Sequence, residues 1–222
     1  MYKCILFDMD GTLVNSFEGI RHAYQAAFAA VSKPFPGEAF VRKVIGAPLP
    51  QAFAGLAKLT IQETKRAVRA YREYYQSKGK YEVYVYPEVS ETLRLLKEKG
   101  CFLAVATLKR ESFALEMLEH LGLLHCMDAV CGADEDDSFT KADLIYMGLK
   151  KAGAGGKETL LVGDTHYDAR GARETGVDFL AVTYGFGFRT TREAKEEGAR
   201  WTARSAAEIL PAALKTEPVY TE

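Results

Sequence analysis

The stretch "CILFDMDGTLVNS", residues 4–16, sets two carboxylates, Asp8 and Asp10, behind a short apolar run and follows them with a Gly-Thr turn. The run "CILF" (4–7) reads as a buried β-strand. A bare carboxylate pair at the end of such a strand is costly, because like charges repel and burial disfavours ionisation. Something else in the chain must offset that cost.

Downstream, "FEGIRHAYQAAFAAV" places Ile20, Tyr24, Ala27, Phe28 and Val31 on one helical face, and "KPFPG" (33–37) ends it. "IGAPLP" (45–50) is a second break. "IQETKRAVRAYREYYQSKG" spaces Ile61, Thr64, Val68, Tyr71 and Tyr75 by threes and fours and closes at Gly79. Residues 15 to 82 therefore read as helical throughout.

Past "YVYPE" (84–88) the rhythm changes. "EVSETLRLLKEKG" is a helix closed by Gly100, and "CFLAVAT" (101–107) is a strand. "RESFALEMLEHLG" is a helix and "MDAVCG" (127–132) a strand. "KADLIYMGLKKAG" is a helix, "TLLVGD" (159–164) a strand, "DARGARETG" a short helix and "DFLAVTYG" (178–185) a strand. Near-continuous apolar strands alternating with helices predict an α/β fold with a doubly wound parallel sheet, Rossmann-like in kind. The expected domains are a catalytic core, residues 1–14 and 83–222, and an inserted α-helical unit, residues 15–82.

Ligands of such sheets lie at the carboxyl ends of the strands. Four predicted strands or their loops deliver chemistry there: Asp8 and Asp10, then Thr107, then Lys141 at a helix start, then Asp164 with Asp168 four residues on. Four clustered carboxylates call for a hard divalent cation and a lysine. Oxygen-only ligands favour Mg2+, which commonly takes substrate phosphate as a further ligand. Lys141 can neutralise phosphate and nucleophile, Thr107 offers a hydroxyl, and backbone N–H groups of the first turn can cradle oxygens. A carboxylate nucleophile with a second carboxylate as proton shuttle accounts for the opening pair.

Plainer roles compete. Asp168 can cap the "ARGARETG" helix, serve the cluster, or do both. Lys141 alone is an ordinary surface lysine, and Thr107 alone an ordinary strand-end threonine. "ADEDD" (133–137) reads as a solvated loop, and "YGFGF" (184–188) as a loop near the site that lacks a dinucleotide fingerprint. His166 is not needed for acid–base work that the carboxylates already cover. The D-x-D-G-T pattern carries more weight, since its chance occurrence in such a chain is on the order of one in a few hundred.

The order "DMDGT", "AT", Lys141, "VGDTHYD" resembles the haloacid dehalogenase-like hydrolase superfamily, most closely its phosphoglycolate phosphatase-like members, with "YPEV" and "GARETG" in keeping. The resemblance covers nearly the whole chain. It implies that the helical insert is a small cap, that Asp8 is the nucleophile and that Asp10 is the general acid/base. It implies Mg2+ held by Asp8, the Asp10 backbone carbonyl and Asp164, with Asp168 in support, and a phosphoryl group held by Thr107, Leu108 and Lys141. An acid two residues after the nucleophile suits the phosphatases and phosphomutases of that superfamily. Two positions depart from it: Leu108 stands where Asn is common, leaving only its N–H to offer, and Glu88 stands where Gly is common.

The expected activity is Mg2+-dependent hydrolysis of small phosphate monoesters through an aspartyl-phosphate, on phosphoglycolate, a nucleoside monophosphate or a sugar phosphate. The loop "KVIGAPL" (43–49) either contacts substrate or merely joins two helices. A phosphomutase with the same core and a phospho-acceptor signalling module are the alternatives; the latter is disfavoured because the acceptor Asp lies on the first strand. A net charge of -1 gives no electrostatic case for nucleic acid or anionic membrane. The first apolar run meets acid too soon for a signal peptide, and no stretch approaches membrane-spanning length. Cys4, Cys101, Cys126 and Cys131 form no CxxC and read as buried thiols of a reducing cytoplasm. The expected state is a cytoplasmic monomer or weak homodimer.

Overall fold

The computed structural model describes residues 1–136 and 138–216. The chain divides into two compact units, Met1–Asn15 with residues from Val85 onward, and Ser16–Tyr84.

The first unit is built on a six-stranded sheet. Its strands are β1 (Cys4–Phe7), β4 (Phe102–Arg110), β5 (Ala129–Ala133), β6 (Thr159–Gly163), β7 (Asp178–Val182) and β8 (Trp201–Ala203), in the order β5-β4-β1-β6-β7-β8. All the pairings are parallel. A short ribbon joins β2 (Val14–Asn15) to β3 (Tyr84–Val85). Because β1 lies between β4 and β6, all four of its residues are buried, as an uninterrupted apolar tetrapeptide requires. Leu6, Ala104, Ala106, Leu144, Ile145 and Leu161 belong to one apolar cluster. The four cysteines are free and buried.

The second unit contains α1 (Phe17–Ala30), α2 (Glu38–Val44), α3 (Leu49–Gln51) running into a π-helical turn at Ala52–Leu56, and α4 (Ile61–Ser77). It contains no strand of the main sheet. Thr60 caps α4 with Glu63 in a capping box. Tyr24 of α1 meets Phe53 at 5.2 Å and Tyr71 of α4 at 5.0 Å between ring centroids. Edge-on or tilted aromatic pairs of this kind add about 0.5–1.5 kcal/mol each beyond area burial. The predicted face of α1 is buried throughout, but α4 differs at its start. Ile61 is 75% exposed and Val68 is half-buried, while Thr64, Ala67, Tyr71 and Tyr75 form the buried side. Ile61 is the first residue after the cap, a turn before the helix meets its neighbour.

The remaining helices belong to the sheet unit: α5 (Val89–Glu98), α6 (Glu111–His120), α7 (Lys141–Ala152), α8 (His166–Thr175), α9 (Thr191–Glu196) and α10 (Ile209–Leu214). Strand β8 and helices α9 and α10 lie beyond the last element read from the sequence, "DFLAVTYG" (178–185). The strand expected over "CFLAVAT" (101–107) runs on as β4 to Arg110. Helix α8 begins at His166, so Asp168 is its third residue and Thr165 its cap. Glu88, the residue ahead of α5, adopts the left-handed φ of 66° that favours glycine. Asp137, the last residue of "ADEDD", lies outside the described residues; Glu135 and Asp136 are exposed. Among the described residues, no helix is long and apolar enough to cross a membrane.

Candidate active site

Parallel strands put the ends of β1, β4 and β6 on one edge of the sheet, and three buried carboxylates meet there. Asp8 follows β1 and Asp164 follows β6, while Asp168 comes from the first turn of α8. Each offers an oxygen within 4.8 Å of the others.

Lys141, the first residue of α7, lies among them. Its Nζ is 2.6 Å from Asp8 Oδ1, 2.7 Å from Asp168 Oδ1 and 2.8 Å from the carbonyl oxygen of Ala106. The ammonium donates hydrogen bonds to Asp8 Oδ1 and the Ala106 carbonyl, and Asp168 Oδ1 lies beside it as an ion-pair partner. Burial opposes the charge on Lys141, but Asp168 and Asp8 more than offset it and hold the amine protonated above the ordinary lysine range. Burial also pushes the Asp8 carboxyl up to about 6, against the pull of Lys141.

Asp164 is held differently. Its Oδ2 accepts hydrogen bonds from the N–H groups of Phe186 at 2.7 Å and Gly187 at 3.2 Å, and its Oδ1 accepts one from Thr12 Oγ1 at 3.3 Å. Burial first, then Asp168 and Asp8, push its carboxyl well above the usual range. The "YGFGF" loop is therefore the seat of Asp164 rather than a passing turn. Glycine is required twice around it. A Cβ on Gly11, whose φ is +87°, would lie 2.2 Å from Asp164 Oδ2. A Cβ on Gly185 would lie 2.3 Å from the Gly11 carbonyl and 2.5 Å from the same Oδ2. Tyr184 ties the loop to the first turn by donating to the Thr12 carbonyl at 2.9 Å.

Asp168 both caps its helix and faces the cluster. Its Oδ2 accepts from Thr165 N–H at 3.0 Å and Thr165 Oγ1 at 2.7 Å, leaving Oδ1 for Lys141.

The Asp10 side chain is outside the three-carboxylate group. Its Oδ2 lies 3.0 Å from Lys109 Nζ. The resemblance gives Asp10 a metal contact through its backbone carbonyl alone. Thr107 is buried in β4, at the last regular pair before the register shifts, and its Oγ1 accepts the Lys109 N–H at 3.2 Å. The Leu108 side chain packs against the apolar cluster, so what it can present is backbone. His166 is exposed at the start of α8.

The groups do not balance. Four carboxylates, Asp8, Asp10, Asp164 and Asp168, face two ammonium groups, Lys109 and Lys141, leaving two negative charges when all are ionised. One divalent cation cancels that excess, and an all-oxygen donor set suits Mg2+. Lys109 and the seat of Asp164 are additions that the fold makes to the residues read from the sequence. The signal for Lys109 was a basic residue just beyond Thr107, at the carboxyl edge of the strand.

A parallel sheet with a buried carboxylate cluster and a shared lysine at the carboxyl edge defines a Rossmann-like α/β protein with an acid-rich site. The chain belongs to the haloacid dehalogenase-like hydrolase family, whose pattern matches residues 5–182. It is 33% identical, over 99% of both chains, to a probable phosphatase, IndB, of Dickeya dadantii. It is 36% identical to a 5'-nucleotidase of Pseudomonas aeruginosa, over 84% of this chain and 85% of that one. The crystal structure of a "predicted phosphatase" from Clostridium acetobutylicum superimposes with a TM-score of 0.90 at 31% identity, covering 97% of this chain and 99% of that one. These likenesses place the chain among the phosphatases of its family.

Proposed function

We propose that the protein is a Mg2+-dependent phosphatase that hydrolyses small phosphate monoesters through an aspartyl-phosphate on Asp8. The observation that carries this reading is the buried cluster of Asp8, Asp164 and Asp168 around Lys141, with its excess of negative charge. A phosphate ester would be repelled there without a cation. Asp8, Asp164 and the Asp10 carbonyl would hold Mg2+, with Asp168 in support. When bound, Mg2+ supplies charge neutralisation and orients the phosphate oxygens.

In the first step an Asp8 carboxylate oxygen attacks phosphorus and the ester P–O bond breaks, its electron pair going to the leaving oxygen. Asp10, protonated, gives that oxygen its proton. In the second step water attacks phosphorus and Asp10 takes its proton. The bond between phosphorus and Asp8 breaks, freeing inorganic phosphate and restoring the carboxylate. Thr107 and the Leu108 N–H bind phosphoryl oxygens, and Lys141 keeps Asp8 oriented and offsets phosphoryl charge. The 5'-nucleotidase relative supports a nucleoside monophosphate as substrate, beside phosphoglycolate. The place of action is the cytoplasm.

Chelation is expected to abolish hydrolysis of nitrophenyl phosphate, and added Mg2+ to restore it; full activity in metal-free buffer would refute the metal. A second readout needs no catalysis. Ligand at 100 times its dissociation constant stabilises the native state by about 2.7 kcal/mol, so saturating Mg2+ should raise the melting temperature by several degrees. The shift should depend on pH. With its folded value raised from 3.8 to about 6, Asp8 in the metal-free fold keeps a proton that the unfolded chain has lost. Its contribution to metal-free stability is thus complete below 3.8 and lost as pH rises through about 6. Mg2+ needs the ionised form, so its stabilising effect should be larger at about pH 7.5 than at about pH 5.

Gly185→Ala should weaken Mg2+ more than it weakens the fold. The added Cβ collides with Asp164 Oδ2 and the Gly11 carbonyl, so the carboxylate must shift. Disturbing the partners of a metal ligand typically costs about 10–100-fold in affinity. A Mg2+ titration of the melting temperature reads this directly, and unchanged affinity would show that the loop does not set Asp164.

A further inference from the structure

Asp10 has a cation of its own. Lys109 Nζ is 3.0 Å from Asp10 Oδ2, with the lysine side chain 7% exposed and that of Asp10 17% exposed. A lysine held almost out of water loses hydration, and that loss is tolerable only against a well-placed partner. The backbone is shaped to deliver it. Pairing of β4 with β5 is regular through Thr107 and slips in register between Thr107 and Arg110. Irregularities of this kind re-aim side chains beside active sites. The Lys109 N–H is fixed on Thr107 Oγ1, so the ammonium is anchored to a strand end that also faces the site. Lys141 cannot take its place, because its Nζ is already engaged by Asp8, Asp168 and the Ala106 carbonyl.

We propose that Lys109 is a positioning residue for Asp10: by pairing with Oδ2 it fixes the orientation in which the carboxyl gives and takes the proton. This rests on the assignment of Asp10 as the acid–base group. Lys109 transfers no proton itself and keeps all three throughout. In the first step the Asp10 carboxyl proton goes to the leaving oxygen, and in the second the Asp10 carboxylate takes one from water. A carboxylate free to rotate would meet these geometries less often, and a misplacement of about 1 Å can cost on the order of 100-fold in rate.

The test compares wild type, Lys109→Met, Lys109→Arg, Asp10→Asn and the double variant Lys109→Met/Asp10→Asn. Each is assayed with Mg2+ on nitrophenyl phosphate and on an alkyl phosphate, following phosphoenzyme formation and turnover, with melting temperatures measured throughout. The expected result for Lys109→Met is a loss of about 10–100-fold in kcat on the alkyl ester with little change in KM. Phosphoenzyme formation from the aryl ester, which needs the proton much less, should be nearly unaffected. Lys109→Arg should recover part of the loss, and the double variant should be no slower than Asp10→Asn alone, because the lysine acts through the carboxylate. A merely structural lysine would slow both esters alike and lower the melting temperature, which overturns the proposal. So would a fully additive double variant, or a raised KM at unchanged kcat, which makes Lys109 a substrate anchor. If Lys109→Met does not fold, Lys109→Gln is assayed in its place by the same criteria. Asp10→Asn alone separates the two levels. If it shows no dependence on leaving group, the acid–base assignment falls and this inference with it. If it does and Lys109→Met does not, only the inference falls.

Discussion

Asp8→Asn is expected to fold, to bind phosphate esters and to turn none of them over. The amide cannot form the phosphoenzyme, and removal of a nucleophile that works in concert with its neighbours typically costs at least about 10⁴-fold in kcat. The fold should tolerate the change. Burial already disfavours the charged form of Asp8, raising its carboxyl to about 6, and the amide is neutral and nearly the same shape. Lys141 keeps Asp168 and the Ala106 carbonyl. The melting temperature of the metal-free variant should therefore not fall below that of wild type. In the wild type, beryllium fluoride should attach at Asp8, and mass spectrometry of acid-quenched turnover should find the phosphoryl group there. A phosphoryl group on Asp168 or His166 instead would overturn the assignment.

Asp10→Asn should fail in a different way, one that depends on the ester. An alkyl leaving oxygen needs a proton as its bond to phosphorus breaks, whereas nitrophenolate needs it much less. The variant should release a burst of nitrophenol and then stall, with the phosphoryl group retained on Asp8, because no base activates the water. The alkyl ester should give only a small burst. General acid–base groups typically contribute about 10²–10⁴-fold, which ordinary kinetics resolve. Mg2+ affinity has to be measured in the same variant, since the Asp10 carbonyl is assigned to the metal. Equal losses on both esters, with no burst and normal Mg2+ binding, would remove Asp10 from the proton path.

The sheet was legible because parallel strands buried on both faces must be apolar throughout, as "CILF", "FLAVA" and "LLV" are. Strand β8 was not, since the three residues "WTA" carry no period. Asp8, Asp10, Asp164 and Asp168 stood out because acid at the end of an apolar run conflicts with its setting. Lys109 was hidden by the opposite property: next to Arg110, it looks like part of an exposed basic step. Only the fold shows that its ammonium turns back to a carboxylate 99 positions earlier, at Asp10. Leu108 shows the same limit from the other side. Its substitution for the common Asn looked like a loss at the site, yet its side chain packs against the apolar cluster. Glu88 likewise replaces a common glycine, and there the structure does expose a cost, a left-handed backbone.

The central place of β1 bears on how the molecule assembles. This strand is made before either of its neighbours, and Cys4 pairs with Phe102 and Thr159, which are 98 and 155 positions away (102 − 4 and 159 − 4). A nascent chain thus carries an apolar strand with both edges open until β4 and then β6 emerge, and such edges invite pairing with other chains. The helical unit lowers the entropic cost of the first closure. Its ends are drawn together where Val14–Asn15 pairs with Tyr84–Val85, so once it has folded its 69 residues (84 − 16 + 1) no longer count toward the first closure. The effective span falls from 98 to about 29, which by the logarithmic law of loop entropy lowers the cost of the β1–β4 pairing by about 1 kcal/mol. An insertion that looks like an interruption in the sequence is, for the growing chain, a clasp that brings the two oldest halves of the sheet within reach of each other.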